Sequence, residues 1–171
     1  ENWDSPSTGW QLYFRNSGDK IAWYVNSSIL IEDTNAYTTG KWHHAAVCRS
    51  NGTTKLYIDG DEKASASDST NYSTTEPLVI GRQQSTNTNH LNGYLQDVRV
   101  YKGVAKYTSN FVVPSRSPDI LPDTPSGVSG GSKLTKITDG AVSFDGTNDT
   151  LSVPDHADFT FGSGDFTLEA F

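Results

Sequence analysis

Cysteine occurs once, at Cys48, and methionine not at all in the 171 residues. A single thiol forms no intramolecular disulfide, so the fold carries no covalent staple and pairing says nothing of redox compartment. On a strand, Cys48 is expected as a small buried hydrophobe. Long apolar runs are missing too. None approaches the roughly 20 residues that cross a bilayer as a helix, and no charged-then-apolar leader is present, which predicts a soluble chain without membrane insertion. Basic residues are few: 13 Lys and Arg against 20 Asp and Glu leave a net charge of -7 and a pI near 4.9. They are also scattered, which excludes nucleic acid as a partner, because phosphate binding needs clustered Lys and Arg. The glutamates, Glu1, Glu32, Glu62, Glu76 and Glu169, lie far apart. Glycoside hydrolysis usually needs two carboxyl groups held across one bond, and no strand offers them, so the chain is not expected to be an enzyme. No stretch has the period of a helix of ordinary length.

What remains is aromatic and short-ranged. Four Trp, eight Tyr and seven Phe in short apolar runs suit a β-sandwich, because such side chains fit a pleated surface. The length suits one sizeable domain. Its organising stretch is a meander from Gly40 to Ala66. Strands are expected at Trp42–Arg49, Lys55–Ile58 and Glu62–Ala66, joined through Asn51-Gly52 and Asp59-Gly60, pairs that tolerate positive φ. Upstream, Trp10–Arg15 and Lys20–Val25 alternate as a hairpin, with Trp10, Leu12 and Phe14 on one face and Ile21, Trp23 and Val25 on one face of a buried aromatic layer. A strand follows at Ser28–Ile31. Downstream, Leu78–Gly81 and Gly93–Tyr101 read as strands, and the Ser/Thr/Asn/Gln-rich stretches Ser67–Thr75 and Gln83–Asn89 as exposed loops. Asp97 and Arg99, two apart, are expected to form an ion pair. Lys102–Phe111 reads as a turn or one helical turn, and residues 112–140 as a Pro/Gly-rich linker after a main body of residues 1–111. Ala141–Phe144, Thr150–Val153 and Phe166–Phe171 read as strands. Trp42, Leu56, Ile58, Val98, Val100 and Phe144 are the expected core contributors.

Several constellations look chemical and have a plainer reading. Gly127-Val128-Ser129-Gly130-Gly131 spells a nucleophile elbow, but that motif needs a strand before it and a helix after it, not a Pro-rich linker. His43 and His44 are adjacent on an expected strand, so their rings point to opposite faces and do not share one ion: one is expected packed, the other exposed. Asp59-Gly60-Asp61 starts like a calcium loop, yet Ala64 stands where the loop requires glycine. A hairpin turn suffices.

Three blocks carry a resemblance. Gly40-Lys41-Trp42-His43-His44 with Leu56-Tyr57-Ile58-Asp59-Gly60, then Leu78–Arg82 with Leu91–Tyr101, then Val142–Asp149 with Phe161–Phe171, resemble the laminin-G-like, concanavalin A-like lectin domains, the third block being similar to the family's opening strands. The resemblance implies an all-β, two-sheet antiparallel sandwich of jelly-roll type in permuted order, with residues 141–171 completing the same sandwich or beginning a neighbouring repeat. The chain starts at Glu1 and ends inside an expected strand, as a piece of a longer product would. Val100–Phe111 and Gly131–Gly140 resemble tandem domains of marine phage structural proteins. The implied setting is extracellular or on a virion surface, with host cell-surface glycan, other repeat copies or virion proteins as partners. Related domains often carry calcium, for which Asp97, Asp145 and Asp149 are the candidates, although Gln96 and Thr150 depart from the family pattern. For saccharide, the loop residues Asn87, Asn89, His90 and Asn92 offer polar partners and Trp3 or Tyr72 a stacking face. A spacer or assembly domain without ligand is the alternative.

Overall fold

A computed structural model describes residues 9–15, 18–83, 89–113 and 141–171. Twelve strands and one 3-10 turn, Ala157–Phe159, make up its regular structure. The meander forms as its turn residues dictate. β4 (Ala45–Ser50), β5 (Thr53–Ile58) and β6 (Asp61–Ser67) pair antiparallel through Asn51-Gly52 and Asp59-Gly60, all four at positive φ. They belong to a five-stranded sheet of order β6-β5-β4-β12-β9, with β9 at Arg99–Lys102 and β12 at Phe166–Ala170. A second sheet holds β1 (Trp10–Arg15), β2 (Lys20–Val25) and β3 (Ser28–Glu32). At the rim lie two-stranded ladders: β7 (Leu78–Ile80) with β11 (Leu151–Val153), and β8 (Asn92–Leu95) with β10 (Val142–Asp145).

Alternation sends Val47, Leu56, Ile58, Phe166 and Leu168 inward from the large sheet to meet Trp10, Ile21, Trp23 and Ile31. Two faces packed this way make a β-sandwich. Its centre is an aromatic stack: Trp10 lies 5.3 Å from both Trp23 and Phe161, and Phe161 lies 4.6 Å from Phe166. The outer face of the large sheet is buried as well. Tyr57, Ala46 and Cys48 there are covered by Tyr107 and Phe111, whose rings stack at 3.5 Å. The covering segment, residues 103–111, takes no helical turn. It is pinned where the Phe111 N–H donates to the Gly60 carbonyl (2.9 Å), and a Cβ at Gly60 would sit 2.1 Å from the Phe111 carbonyl oxygen.

The structure corrects several sequence readings. Trp42 and Val98 are exposed, not core, whereas Leu56, Ile58 and Phe144 are buried. β4 starts only at Ala45: the Asp59 N–H still reaches the His44 carbonyl (2.8 Å), but the His44 N–H goes to the Asp59 side chain, Oδ1 (2.9 Å), instead of completing the backbone pair. Phe14 is exposed, since the hairpin runs past the edge of the aromatic layer. The expected strand Gly93–Tyr101 is two strands. Gln96 and Phe171 exchange both backbone hydrogen bonds, while Arg99 pairs with Glu169. Asp97 and Val98 therefore face the single residue Ala170, a β-bulge with Asp97 at φ 59°. That extra residue flips the facing of the chain and turns Val98 outward.

Ser67–Thr75 is not an exposed loop throughout, for Asp68, Tyr72 and Thr74 are buried. The Asp68 carboxylate accepts from the Thr54 hydroxyl (2.6 Å), the Tyr72 hydroxyl (2.8 Å) and the Thr70 N–H (2.9 Å). Burial works to raise its pKa, and these hydrogen bonds outweigh it and lower it.

Candidate functional site

The bulge at Asp97 and Val98 carries the β8–β10 ribbon off the end of the large sheet. In that ribbon Tyr94 stands opposite Ser143, and Asn92 opposite Asp145. Residues directly opposite on antiparallel strands share a face, so these four side chains lie together. All four are exposed. Trp42, brought alongside by the segment before β4, places its ring 6.3 Å from that of Tyr94. The two rings remain 39% and 63% accessible, in a protein whose other large aromatics are mostly inside. Two open aromatic faces beside an amide, a hydroxyl and a carboxylate can hold a ligand with both C–H and O–H surfaces.

The opposite face of the ribbon is apolar. Leu95, Val142 and Phe144 join Ile80, Leu151 and Val98 around a concavity of about 210 Å³. Phe144 closes its floor against Gly81, where a Cβ would lie 2.2 Å from the ring.

Of the candidates read from the sequence, Asn92 is on the aromatic face. Asn89 and His90 lead into β8: the Asn89 amide donates to Gln83 Oε1, and His90 is half-buried with its Nδ1 enclosed. Tyr72 is no stacking face. Fully buried, it accepts from Trp23 Nε1 (3.2 Å) and donates to Asp68, and its ring packs against Phe166. Trp3 and Asn87 lie outside the described residues. Sequence reading missed Trp42, placed in the core, and Tyr94, read only as a strand residue. The signal for Tyr94 was the break in alternation at Asp97, a residue that tolerates the left-handed conformation, whereas Trp42, standing just before an apolar run, carried no such mark.

Of the three aspartates considered for calcium, Asp97 is placed apart from Asp145 and Asp149. Asp97 forms two 2.8 Å bonds with Arg99, the expected ion pair. The register sets Asp145 at the far end of β8 from it. Asp145 and Asp149 close their own loop, Asp149 Oδ2 accepting from the Asp145 N–H (2.9 Å) and Asp145 Oδ1 from the Thr147 N–H (2.8 Å). Among the described residues no group of three or more His, Cys, Asp or Glu is arranged to hold a metal ion.

A different polar cluster lies under the 103–111 cover. Glu169 accepts from the Tyr107 hydroxyl (2.6 Å), from Lys106 Nζ (2.5 Å) and from His44 Nε2 (3.2 Å). Burial acts to raise this carboxyl, but the hydrogen bonds from His44, Lys106 and Tyr107 prevail and hold it near about 2. His43 faces the other way, with Nδ1 2.7 Å from Asp59 Oδ2. His44 is packed as expected, whereas His43 is half-buried rather than exposed, and both precede the strand on which alternation was expected to separate them.

An antiparallel sandwich presenting an open aromatic face at its rim is a lectin-like binding module. The chain belongs to the Concanavalin A-like lectin/glucanases superfamily, whose laminin G-type family model matches residues 2–106. No curated protein and no solved structure matches it.

Proposed function

We propose that the protein is a non-catalytic carbohydrate-recognition module of an extracellular or virion-surface protein, and that the saccharide lies on the Trp42–Tyr94 face. The observation that carries this reading is the exposed ring pair beside Asn92, Ser143 and Asp145. A pyranose offers an apolar C–H side to the rings and hydroxyls to the amide and carboxylate. The surface is open, so contacts are few and affinity belongs in the millimolar range, about 4 kcal/mol. Hydrolysis finds no support in the acids. Glu169 is sealed under the covering segment, and Glu32 is engaged by Arg15 (2.8 Å) and Lys20 (3.3 Å).

Titration with host-surface polysaccharides, followed by amide NMR, tests the reading. Tyr94, Asn92 and Ser143 amides should shift at millimolar sugar, and Tyr94→Ala should weaken binding roughly tenfold, about 1.4 kcal/mol. Shifts elsewhere, or none, would overturn the assignment. Running the titration with and without calcium also reads whether Asp145 and Asp149 recruit that ion. The spacer or assembly reading draws on a separate observation, the exposed Val98, Val142 and Leu151 around the apolar concavity. It stands if no glycan shifts the spectrum.

A further inference from the structure

Residues 141–171 make no strand pairs among themselves. β10 pairs with β8, β11 with β7, and β12 with both β4 and β9, so every ladder of this segment is formed with residues 45–102. The segment is also a major donor to the centre. Phe161 and Phe166 complete the stack on Trp10, Trp23 and Tyr72. The carbonyls of Gly162 and Gly164 take three of the hydrogen bonds of Arg49, a side chain with no exposure to water. Removing the segment would leave β4, β7, β8 and β9 each short of a partner and strand a buried cation. Residues 9–113 therefore need one copy of it. Nothing in the ladders requires that copy to be covalently their own.

The 27 residues 114–140 join the two parts, and both ends of this connection emerge at the same end of the large sheet. Val113 packs beside Gly60, at the turn after Ile58. Val142 stands opposite Leu95, next to the Gln96–Phe171 bridge, and Ala45 aligns with both Ile58 and Ala170. Fully extended, 27 residues span roughly 90 Å, several times the roughly 20 Å across a five-stranded sheet. The tether thus reaches a neighbouring molecule as well as its own. Tethers of such length give effective concentrations on the order of millimolar, so a second copy competes as protein concentration approaches that level.

We infer that the slot between β4 and β9 is a docking surface for the 141–171 segment of a second copy of this chain, and that two copies exchange these segments reciprocally. In the exchanged pair each aromatic face combines Trp42, Asn92 and Tyr94 of one chain with Ser143 and Asp145 of the other.

Cys48 supplies the test. It stands directly opposite Thr167 across the β4–β12 pair, Sγ to Oγ1 3.2 Å, within reach of a disulfide if Thr167 becomes cysteine. The full-length Thr167→Cys chain is refolded at about ten micromolar and at several hundred micromolar, oxidised, and run without reductant. Exchange predicts an intramolecular bridge at low concentration and disulfide-linked dimers at high concentration, the dimer-to-monomer ratio rising about tenfold per tenfold increase in free monomer. Bridged monomer alone at both concentrations overturns the proposal. Thr167 also bonds Val104 and Lys106 through its hydroxyl, so the variant has a backup. Unlabelled and nitrogen-15-labelled unsubstituted chains, unfolded together and refolded at high concentration, should give mixed dimers by native mass spectrometry that persist on dilution. Absence of mixed dimer, or dimer that falls apart within minutes of dilution as a surface contact would, also overturns it.

Discussion

Arg49 is a cation with no route to water. Its guanidinium donates to the carbonyls of Thr70, Gly162 and Gly164 and lies 3.7 Å from Asp68, with the rings of Tyr72 and Phe166 at 4.9 and 5.3 Å. A planar fork serves several acceptors at fixed angles, which an ammonium cannot do. Arg49→Lys should therefore behave as a broken buried pair, costing about 3 kcal/mol, and Arg49→Ala at least as much, read as a fall in the urea midpoint at unchanged slope. Glu169 is the corresponding buried anion. Its folded pKa, about 2, is depressed below the ordinary 4.5, so its stabilisation is complete above 4.5 and is lost as pH falls from 4.5 through about 2. Glu169→Gln should cost about 3 kcal/mol at pH 7, and the gap to the unsubstituted protein should narrow across that window. A gap constant from pH 7 to pH 3 would mean that the carboxyl is not charged in the fold.

The Gly60 turn shows how much an element can hang on one residue. Gly60 has φ 86° and nowhere to put a Cβ, because the Phe111 carbonyl occupies that space. Gly60→Ala should release residues 103–111 from the outer face. About 2–3 kcal/mol would be lost, with hydrogen exchange faster at the Phe111 and Lys106 amides and little changed at Trp23. Equal acceleration everywhere would show that the cover and the sandwich unfold as one. The meander was legible in the sequence because its turns are written in residue types that only certain backbones tolerate. The bulge was not. One inserted residue changes facing without changing composition, and Asp97 marks it only through its tolerance of positive φ. With that parity missed, Val98 was assigned to the core and Tyr94 overlooked, while Trp42 passed for a strand residue because apolar residues follow it. Tyr72 was hidden differently: a Ser/Thr/Asn-rich stretch reads as solvated until Asp68 is seen to gather its hydroxyls inside. Of the candidate site, only Asn92 and Asp145 could be named in advance, both by loop chemistry.

At the scale of the molecule, the family match ends at Lys106, yet the sandwich of the structure does not. β12 sits inside the large sheet, with Phe166, Thr167, Leu168 and Glu169 all buried. A strand so placed shares its opening with its neighbours, since its release exposes the aromatic stack and Arg49 together. The amides of Thr167, Leu168 and Glu169 should therefore exchange with the opening free energy of Val47 and Cys48, their partners on β4, and both should match the global unfolding measured by denaturant. A segment docked on an independently stable body would behave otherwise. Its amides would exchange a hundredfold or more faster than those of β4, a gap of about 2.7 kcal/mol, and the β4 amides would stay protected while it was away. Native-state exchange at a few sub-denaturing urea concentrations separates the two outcomes: one common isotherm for β4 and β12 if the core is indivisible, two if residues 141–171 are an appendage.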